Sequence, residues 1–159
     1  MKIIEVVQKL NSEIHYDNWR LPNHSELKLE WDIKQKKPAY IKSFQQQYNC
    51  NVWDTFENFL KAVKQGHIER LPFNKYDDID RVTRPSTFQE LKNQSIGYAY
   101  PRFPERILQG FKDNDQIPMP IILDNDGSRV ICAGNTRLGA ASVAKITPFP
   151  KILVIPSHI

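Results

Sequence analysis

The chain has 159 residues, of which 40% are hydrophobic and 25% charged, and its formal net charge is +4. This size fits one domain with a hydrophobic core. No run approaches the ~18 apolar residues of a membrane span, and no basic-then-apolar leader opens the chain. Two cysteines far apart, Cys50 and Cys132, exclude a disulfide framework. We therefore expect a soluble cytoplasmic protein with no membrane partner.

The positive charge is concentrated in the second half of the chain. Residues 1–80 hold 12 Lys/Arg and 12 Asp/Glu, whereas residues 81–159 hold 10 and 6, which accounts for the whole +4. A basic half favours a polyanionic ligand, although a solvated basic surface explains it equally. The balance indicates a nucleotide or nucleic acid as partner without choosing between them.

The first 37 residues predict a helix, a loop and a strand. The opening apolar positions have helical spacing, although their β-branched content leaves a strand open. They are Ile3, Val6, Val7, Leu10 and Ile14. Residues 16–25 indicate a loop. Strict alternation of apolar and charged residues then predicts a strand over Leu27–Ile33, whose polar face includes Glu30. That face is expected to be solvated, with a catalytic acid as the alternative. A basic turn at 34–37 follows.

Two aromatic helices are predicted next. Tyr40, Phe44 and Tyr48 share one helical stripe. The second helix starts at a capping-box pattern, Asp54-x-x-Glu57, ends at Gly66, and turns one apolar face to the core. That face carries Trp53, Phe56, Leu60 and Val63. Residues 68–73 predict a strand, and the aspartates at 77, 78 and 80 indicate a solvated loop rather than a metal site.

Residues 86–112 predict two short helices around an aromatic loop. The first helix is predicted to start at the capping pattern Ser86-x-x-Gln89 and to turn Phe88 and Leu91 toward the core. The second helix is predicted over residues 104–112. Between them, residues 97–103 combine aromatic and cationic side chains: Tyr98, Tyr100, Arg102 and Phe103. This combination suits stacking on a base beside its phosphates. A hydrophobic loop that plugs the core fits the same residues, and both readings stay open.

The last third has the clearest order of elements. An apolar strand over 119–123 leads into a turn with an Asp126-Gly127 step, and a second strand over 129–133 ends at Gly134. A helix of small residues opens at Asn135 and runs to Ala144, and the β-branched run 151–155 predicts a final strand.

The joint at Gly134 is the candidate site. Glycine lets the backbone approach a ligand, and the first amides of the following helix lack internal partners. With the helix dipole they form an anion site, to which Arg137 adds a forked contact with phosphate. The structural alternative is a turn capped by Asn135, with Arg137 in a surface ion pair. On spacing alone the structural alternative is favoured, because Gly-x-x-Arg is a short pattern.

The order of strand, Asp-Gly turn, strand, Gly-x-x-Arg-x-x-Ala-Ala and strand resembles the core of the ParB/sulfiredoxin superfamily. The residues that carry the resemblance are Gly134, Thr136, Arg137, Ala140 and Ala141. It implies a nucleotide-phosphate cradle, in a family of CTP-binding partition proteins, sulfiredoxins, free-serine kinases and putative nucleases. Sulfiredoxins have a nucleophilic cysteine in the box, where this chain has Asn135. Partition proteins carry two arginines there and a helix-turn-helix region after it. Neither subgroup is therefore expected.

These expectations define an α+β fold with a small mixed sheet and packed helices. We expect a single domain over 1–159, with 1–85 as an elaboration and 86–159 as the ParB/sulfiredoxin-like core. We expect a nucleotide- or nucleic-acid-phosphate-binding enzyme with phosphotransferase-like or nuclease-like chemistry. The resemblance also suggests an accessory protein of a phage or mobile element. Phosphates would lie at Gly134, Asn135, Thr136 and Arg137, with Arg137 also offsetting charge on a transferring phosphoryl group.

Two further expectations concern the chemistry. Asp126 is a candidate base or metal ligand, although a turn former beside Gly127 fits it better. Cofactors of the ATP, ADP or CTP class and Mg²⁺ are possible, while no resident metal site is indicated by the scattered histidines. Cys132, on a strand, is expected to be a buried small hydrophobe. The alternative function is a non-catalytic DNA- or protein-binding module on the same fold.

Overall fold

A computed structural model describes residues 13–96 and 103–159 as six α-helices around a five-stranded sheet, with a separate two-stranded ladder. The helices are α1 (His24–Gln35), α2 (Pro38–Tyr48), α3 (Phe56–Gln65), α4 (Phe88–Ile96), α5 (Pro104–Asp113) and α6 (Asn135–Ala144). The strands are β1 (Trp19–Arg20), β2 (His67–Arg70), β3 (Ile79–Asp80), β4 (Ile117–Pro118), β5 (Ile121–Asn125), β6 (Ser128–Ala133) and β7 (Lys151–Pro156). A 3₁₀-helix spans Phe73–Asp78.

The main sheet is mixed, in the order β2-β7-β5-β6-β3. Strand β7 pairs in parallel with β5 and antiparallel with β2, while β6 pairs antiparallel with β5 and in parallel with β3. The apolar runs Ile121–Leu123 and Ile152–Ile155 are fully buried, as expected for central strands covered on both faces. The predicted α+β class with a mixed sheet is confirmed.

The hairpin between β5 and β6 follows its sequence signal. Asp126 and Gly127 both have positive φ, at 51° and 91°, which a two-residue hairpin turn requires. The side chain of Asp124 accepts a hydrogen bond from the Gly127 amide at 2.8 Å. The predicted strands on both sides of this turn, the helix after Gly134 and the final strand are all confirmed.

The strand predicted over Leu27–Ile33 is wrong, because these residues form most of helix α1. Asn23 and Glu26 make a reciprocal capping box, with the Asn23 side chain accepting from the Glu26 amide at 2.9 Å. The apolar residues alternate in the sequence, but the buried positions do not follow that alternation. Leu27 is 5% exposed, whereas Leu29, on the same face of a strand, is 58% exposed.

The helices predicted after residue 37 are present, and two of them have caps that differ from the prediction. Helix α2 carries the aromatic stripe, and Gly66 ends α3 as predicted. However, α3 is capped by Thr55 rather than Asp54, and the Thr87 hydroxyl, not Ser86, accepts the Glu90 amide at the start of α4. Helix α5 buries Leu108 and Phe111. The strand predicted over 68–73 is present as the shorter β2.

One hydrophobic cluster spans both halves of the sequence. Trp53 stacks on Phe59 at 4.8 Å, and both belong to the same cluster as Ile121 and Leu153 of the central sheet. The rings of Trp31 and Phe56 pack against this cluster. Strand β2 also crosses the boundary, since His67–Arg70 pair with Lys151–Val154. The helix predicted from Ile3 lies almost wholly outside the described residues.

The described helices include none long and apolar enough to cross a membrane. The longest, α1, has 12 residues and carries charged side chains along its length.

The shared core predicts that residues 86–159 do not fold alone. A fragment lacking residues 1–85 loses β2 from the edge of β7 and the rings of Trp53 and Phe59 from the core. We expect it to unfold without a cooperative transition, as followed by circular dichroism against temperature. A cooperative transition in the fragment would mean that the two halves are separate domains.

Candidate phosphate-binding site

The site is organised by the turn at Gly134, which joins β6 to α6. Gly134 has φ 96° and ψ 22°, in the left-handed region that glycine adopts at no steric cost. A Cβ built there would lie 2.7 Å from Pro120 Cβ and 2.8 Å from Pro120 Cα. Both its φ and the close approach of Pro120 therefore require glycine.

The amides of Asn135, Thr136 and Arg137 form the first turn of α6. The first hydrogen bond of the helix is donated by the Leu138 amide to the Gly134 carbonyl at 2.9 Å, and no side chain caps this end. Amides at this position have no acceptor within the helix, and the helix dipole places its positive end there. Such a helix start is the arrangement that binds anions in proteins, as the sequence predicted for this turn. The Thr136 residue is mostly buried there, at 7% exposure.

Asn135 is the first helical residue, and Gly134 is the N-cap, so the predicted capping by Asn135 is not observed. Its side chain instead contacts the segment after β3. Asn135 Nδ2 donates to the Arg81 carbonyl, and Oδ1 accepts from the Thr83 amide, both at 3.3 Å. Asn135 thus fixes the position of Arg81 beside the turn.

The Arg137 side chain folds back over the turn. Its Nη2 would lie 2.7 Å from a Cβ at Gly134, which places the guanidinium against the glycine backbone. Arg137 and Glu26 also line one pocket together. The pKa of the Glu26 carboxyl is lowered, first by hydrogen bonding to Arg20 and to a smaller extent by the charge of Arg137. Arg20 makes a two-pronged contact with Glu26, at 2.6 and 2.9 Å.

A cavity of about 220 Å³ lies between the turn and helices α1 and α2. One wall consists of the Gly134 turn and the start of α6, and the other carries charged and aromatic side chains from the first half of the sequence. These side chains are Glu30, Lys34, Lys37, Tyr40 and Arg81. Lys34, Lys37 and Arg81 are not among the site residues predicted from the sequence. The Glu30–Lys34 spacing was a usable signal, because residues four apart on a helix pair on one face.

A second cleft, of about 330 Å³, also borders the turn. Gly134, Thr136 and Arg137 line it together with Phe103, whose ring lies 4.3 Å from the Arg106 guanidinium carbon. Phe103 is the last residue of the predicted aromatic loop and is 48% exposed. The base-stacking candidates Tyr98, Tyr100 and Arg102 lie outside the described residues, so their role stays a prediction.

Asp126 does not lie beside the turn. It is exposed at the far end of β6, and the six residues Ser128–Ala133 separate it from Gly134, a span of roughly 20 Å for a strand. Asp124 is engaged near the same end, where it accepts from Arg129 Nε at 2.8 Å. Among the carboxylates that the sequence analysis considered, Glu30 is the one that lines the cavity with Gly134. A catalytic role for Asp126 has no support from this geometry.

Neither cysteine is placed for nucleophilic chemistry. Cys132 is buried, as predicted, and burial raises the pKa of its thiol to about 12. Burial also raises the pKa of Cys50, to about 11. Both are therefore neutral thiols near pH 7, whereas the thiolate is the nucleophile.

The three neighbouring aspartates do not share one solvated loop. Asp77 and Asp78 end the 3₁₀-helix, and Asp80 in β3 accepts a hydrogen bond from the Tyr48 hydroxyl. Within residues 13–96 and 103–159, no three His, Cys, Asp or Glu side chains are grouped as a metal site would need.

No protein-family model matches the chain, and comparisons with curated proteins and with solved structures give no match.

The requirement for glycine at position 134 is testable against a matched glycine. Gly127 also has positive φ, but a Cβ there would meet no described atom within 4 Å. Gly127→Ala should cost only the left-handed strain, about 1–2 kcal/mol. Gly134→Ala should cost about 1–3 kcal/mol more, because its Cβ also collides with Pro120. Urea unfolding of both variants measures the difference, and equal losses would contradict the crowding at Gly134.

Proposed function

We propose that this protein binds the phosphate groups of a nucleotide or nucleic acid at the Gly134 turn. The observation that carries the proposal is the left-handed glycine at the start of α6, with the Arg137 guanidinium folded over it. Backbone amides and a guanidinium then converge on one small volume. Charge-assisted hydrogen bonds of this kind are the strongest that phosphate makes with protein groups.

The proposal extends to a ParB/sulfiredoxin-like core, because the elements around the turn follow the order that the resemblance implies. The hairpin β5–β6, the Gly134 box, helix α6 and the parallel strand β7 supply this order. A cytoplasmic location, where nucleotides are abundant, belongs to the same proposal.

Phosphotransferase-like or nuclease-like chemistry is the enzymatic form of the proposal. Glu30 is the carboxylate on the cavity wall, and Arg137 would offset charge on a phosphoryl group in transfer. A bound nucleotide would bring any Mg²⁺ with its phosphates.

A non-catalytic DNA- or protein-binding module is the second candidate, and one observation favours it. Glu30 is engaged as an ion-pair partner, since its Oε2 lies 3.3 Å from Lys34 Nζ. In this position the Glu30 carboxylate neutralises a buried cation, which is a structural role that needs no catalysis. Under this candidate the anion site binds phosphate without turning it over.

Arg137→Ala should weaken nucleotide binding by about 1–3 kcal/mol, because it removes a charge-assisted hydrogen bond. Isothermal titration calorimetry with ATP and with CTP measures the loss. Lys145→Gln is the matched control, since Lys145 lies just after the opposite end of α6 and outside the clefts at Gly134. This control should bind like the unmodified protein.

Two results would contradict the proposal. Equal affinities for Arg137→Ala and the unmodified protein would mean that nucleotides bind elsewhere. A loss in Lys145→Gln as large as that in Arg137→Ala would mean that overall charge, or the cleft that Lys145 lines, governs binding rather than the turn. Turnover of bound nucleotide, or of single-stranded DNA, separates the enzymatic form from the binding module.

A further inference from the structure

We propose that Lys34, Lys37 and Arg81 form a second anion subsite, so that the cavity takes a ligand with two linked phosphoryl groups. One group would lie at the amides of Asn135–Arg137 and the other between the three cations. This inference rests on the proposed function, and it assigns residues outside the Gly134 box to ligand binding. The ligand class is a diphosphate, such as inorganic pyrophosphate or the diphosphate end of a nucleotide.

Lys34 is a buried lysine whose ammonium lies in the wall of the cavity. It is 6% exposed, and its ammonium donates to the Cys132 carbonyl at 2.7 Å, two residues before Gly134. It also lies 5.5 Å from the Tyr40 ring centroid and 5.4 Å from that of Trp53. Burying an ammonium is costly unless charge and hydrogen bonds compensate. Glu30, at 3.3 Å, supplies one compensating charge, and an anion in the cavity would supply another.

Arg81 has hydrogen-bonding capacity left over. Its guanidinium lies 4.5 Å from the Tyr40 ring centroid and 5.0 Å from that of Phe44, and Nη2 donates to the Ser43 hydroxyl at 2.8 Å. Nη1 is shielded from solvent and has no hydrogen-bond partner among the described residues. The backbone of Arg81 is left-handed, at φ 66°, and the Asn135 side chain bonds its carbonyl. Such an unpaired buried donor is costly in a folded protein, and a ligand oxygen would satisfy it.

The charge of the cavity fits a ligand with more than one negative charge. Three cations and one carboxylate line it, which leaves two positive charges in excess before the helix dipole is added. Lys37 contributes an exposed ammonium at the rim, 5.9 Å from the Tyr40 ring centroid. Because Gly134 and Thr136 line the same cavity as these cations, one ligand reaches both walls.

The size of the cavity agrees with this ligand. Its volume is about 220 Å³, several times the roughly 30 Å³ that a water molecule takes in the liquid. A single phosphate at the helix amides would leave Lys37 and Arg81, on the opposite wall, without a carboxylate partner among the described residues. Two linked phosphoryl groups place negative charge at both walls.

The test compares inorganic phosphate with pyrophosphate by isothermal titration calorimetry on the full chain. Pyrophosphate should bind at least tenfold more tightly than phosphate. Lys37→Gln and Arg81→Gln should each weaken pyrophosphate binding about tenfold and change phosphate binding less than twofold. Lys42→Gln, an exposed charge on the same helix as Tyr40 and outside the cavity, is the control and should leave both affinities unchanged.

The outcomes separate the second subsite from the first. Equal binding of phosphate and pyrophosphate, with no effect of Lys37→Gln, overturns the second subsite and leaves phosphate binding at Gly134 intact. No binding of either anion overturns the proposed function itself. Lys37 is exposed, so its variant keeps the test decisive even where Arg81→Gln fails to fold.

Discussion

The left-handed conformation of Gly134 is the constraint on which the site depends. It turns the chain from the end of β6 into α6 directly against Pro120, with no room for a side chain. The carbonyl of Pro120 in turn accepts the Leu153 amide of β7 at 2.9 Å. The first turn of α6 is thereby tied, through one proline, to the central parallel pair of the sheet. A phosphate at the amides of Asn135–Arg137 would be held by the most buried part of the fold.

A second contact brings the first half of the sequence to the same place. The Lys34 ammonium donates to the Cys132 carbonyl, so helix α1 lies against the last residues of β6. The side chain of Asn135 bonds the backbone of Arg81 and Thr83, so this segment lies against the start of α6. Because of these two contacts, residues 1–85 supply one wall of the cavity in addition to the β2 edge strand. The elaboration and the expected core therefore share one candidate site.

The parts of the fold that sequence predicted correctly have local causes. The Asp126-Gly127 turn and the Gly134 joint both need positive φ, which glycine adopts without strain and which aspartate and asparagine adopt more readily than most other residues. The strands of the hairpin and β7 each contain a buried apolar run that includes β-branched residues. These signals lie within a few residues of the structure that they specify.

The errors have equally clear causes. The residues that alternate over Leu27–Ile33 also fit a helix, whose buried positions are Leu27, Ile33 and Lys34. The capping box at Asn23 was the signal that decides between strand and helix. Asp126 is next to the Gly134 box in sequence, but strand β6 carries it to the other end of the sheet. The roles of Lys34 and Arg81 depend on contacts across about 50 to 100 residues, which no local pattern reveals.

The most direct test of the central claim is an amide NMR titration of the full chain with ATP and CTP. We predict that the largest chemical-shift changes occur at the amides of Asn135, Thr136 and Arg137, with smaller changes at Arg81 and Lys34. A third cleft, beyond the other end of α6, is lined by Arg84, Lys145 and Phe149. Shifts concentrated in that cleft, with the amides of Asn135–Arg137 unchanged, would contradict the assignment of the phosphate site to the Gly134 turn.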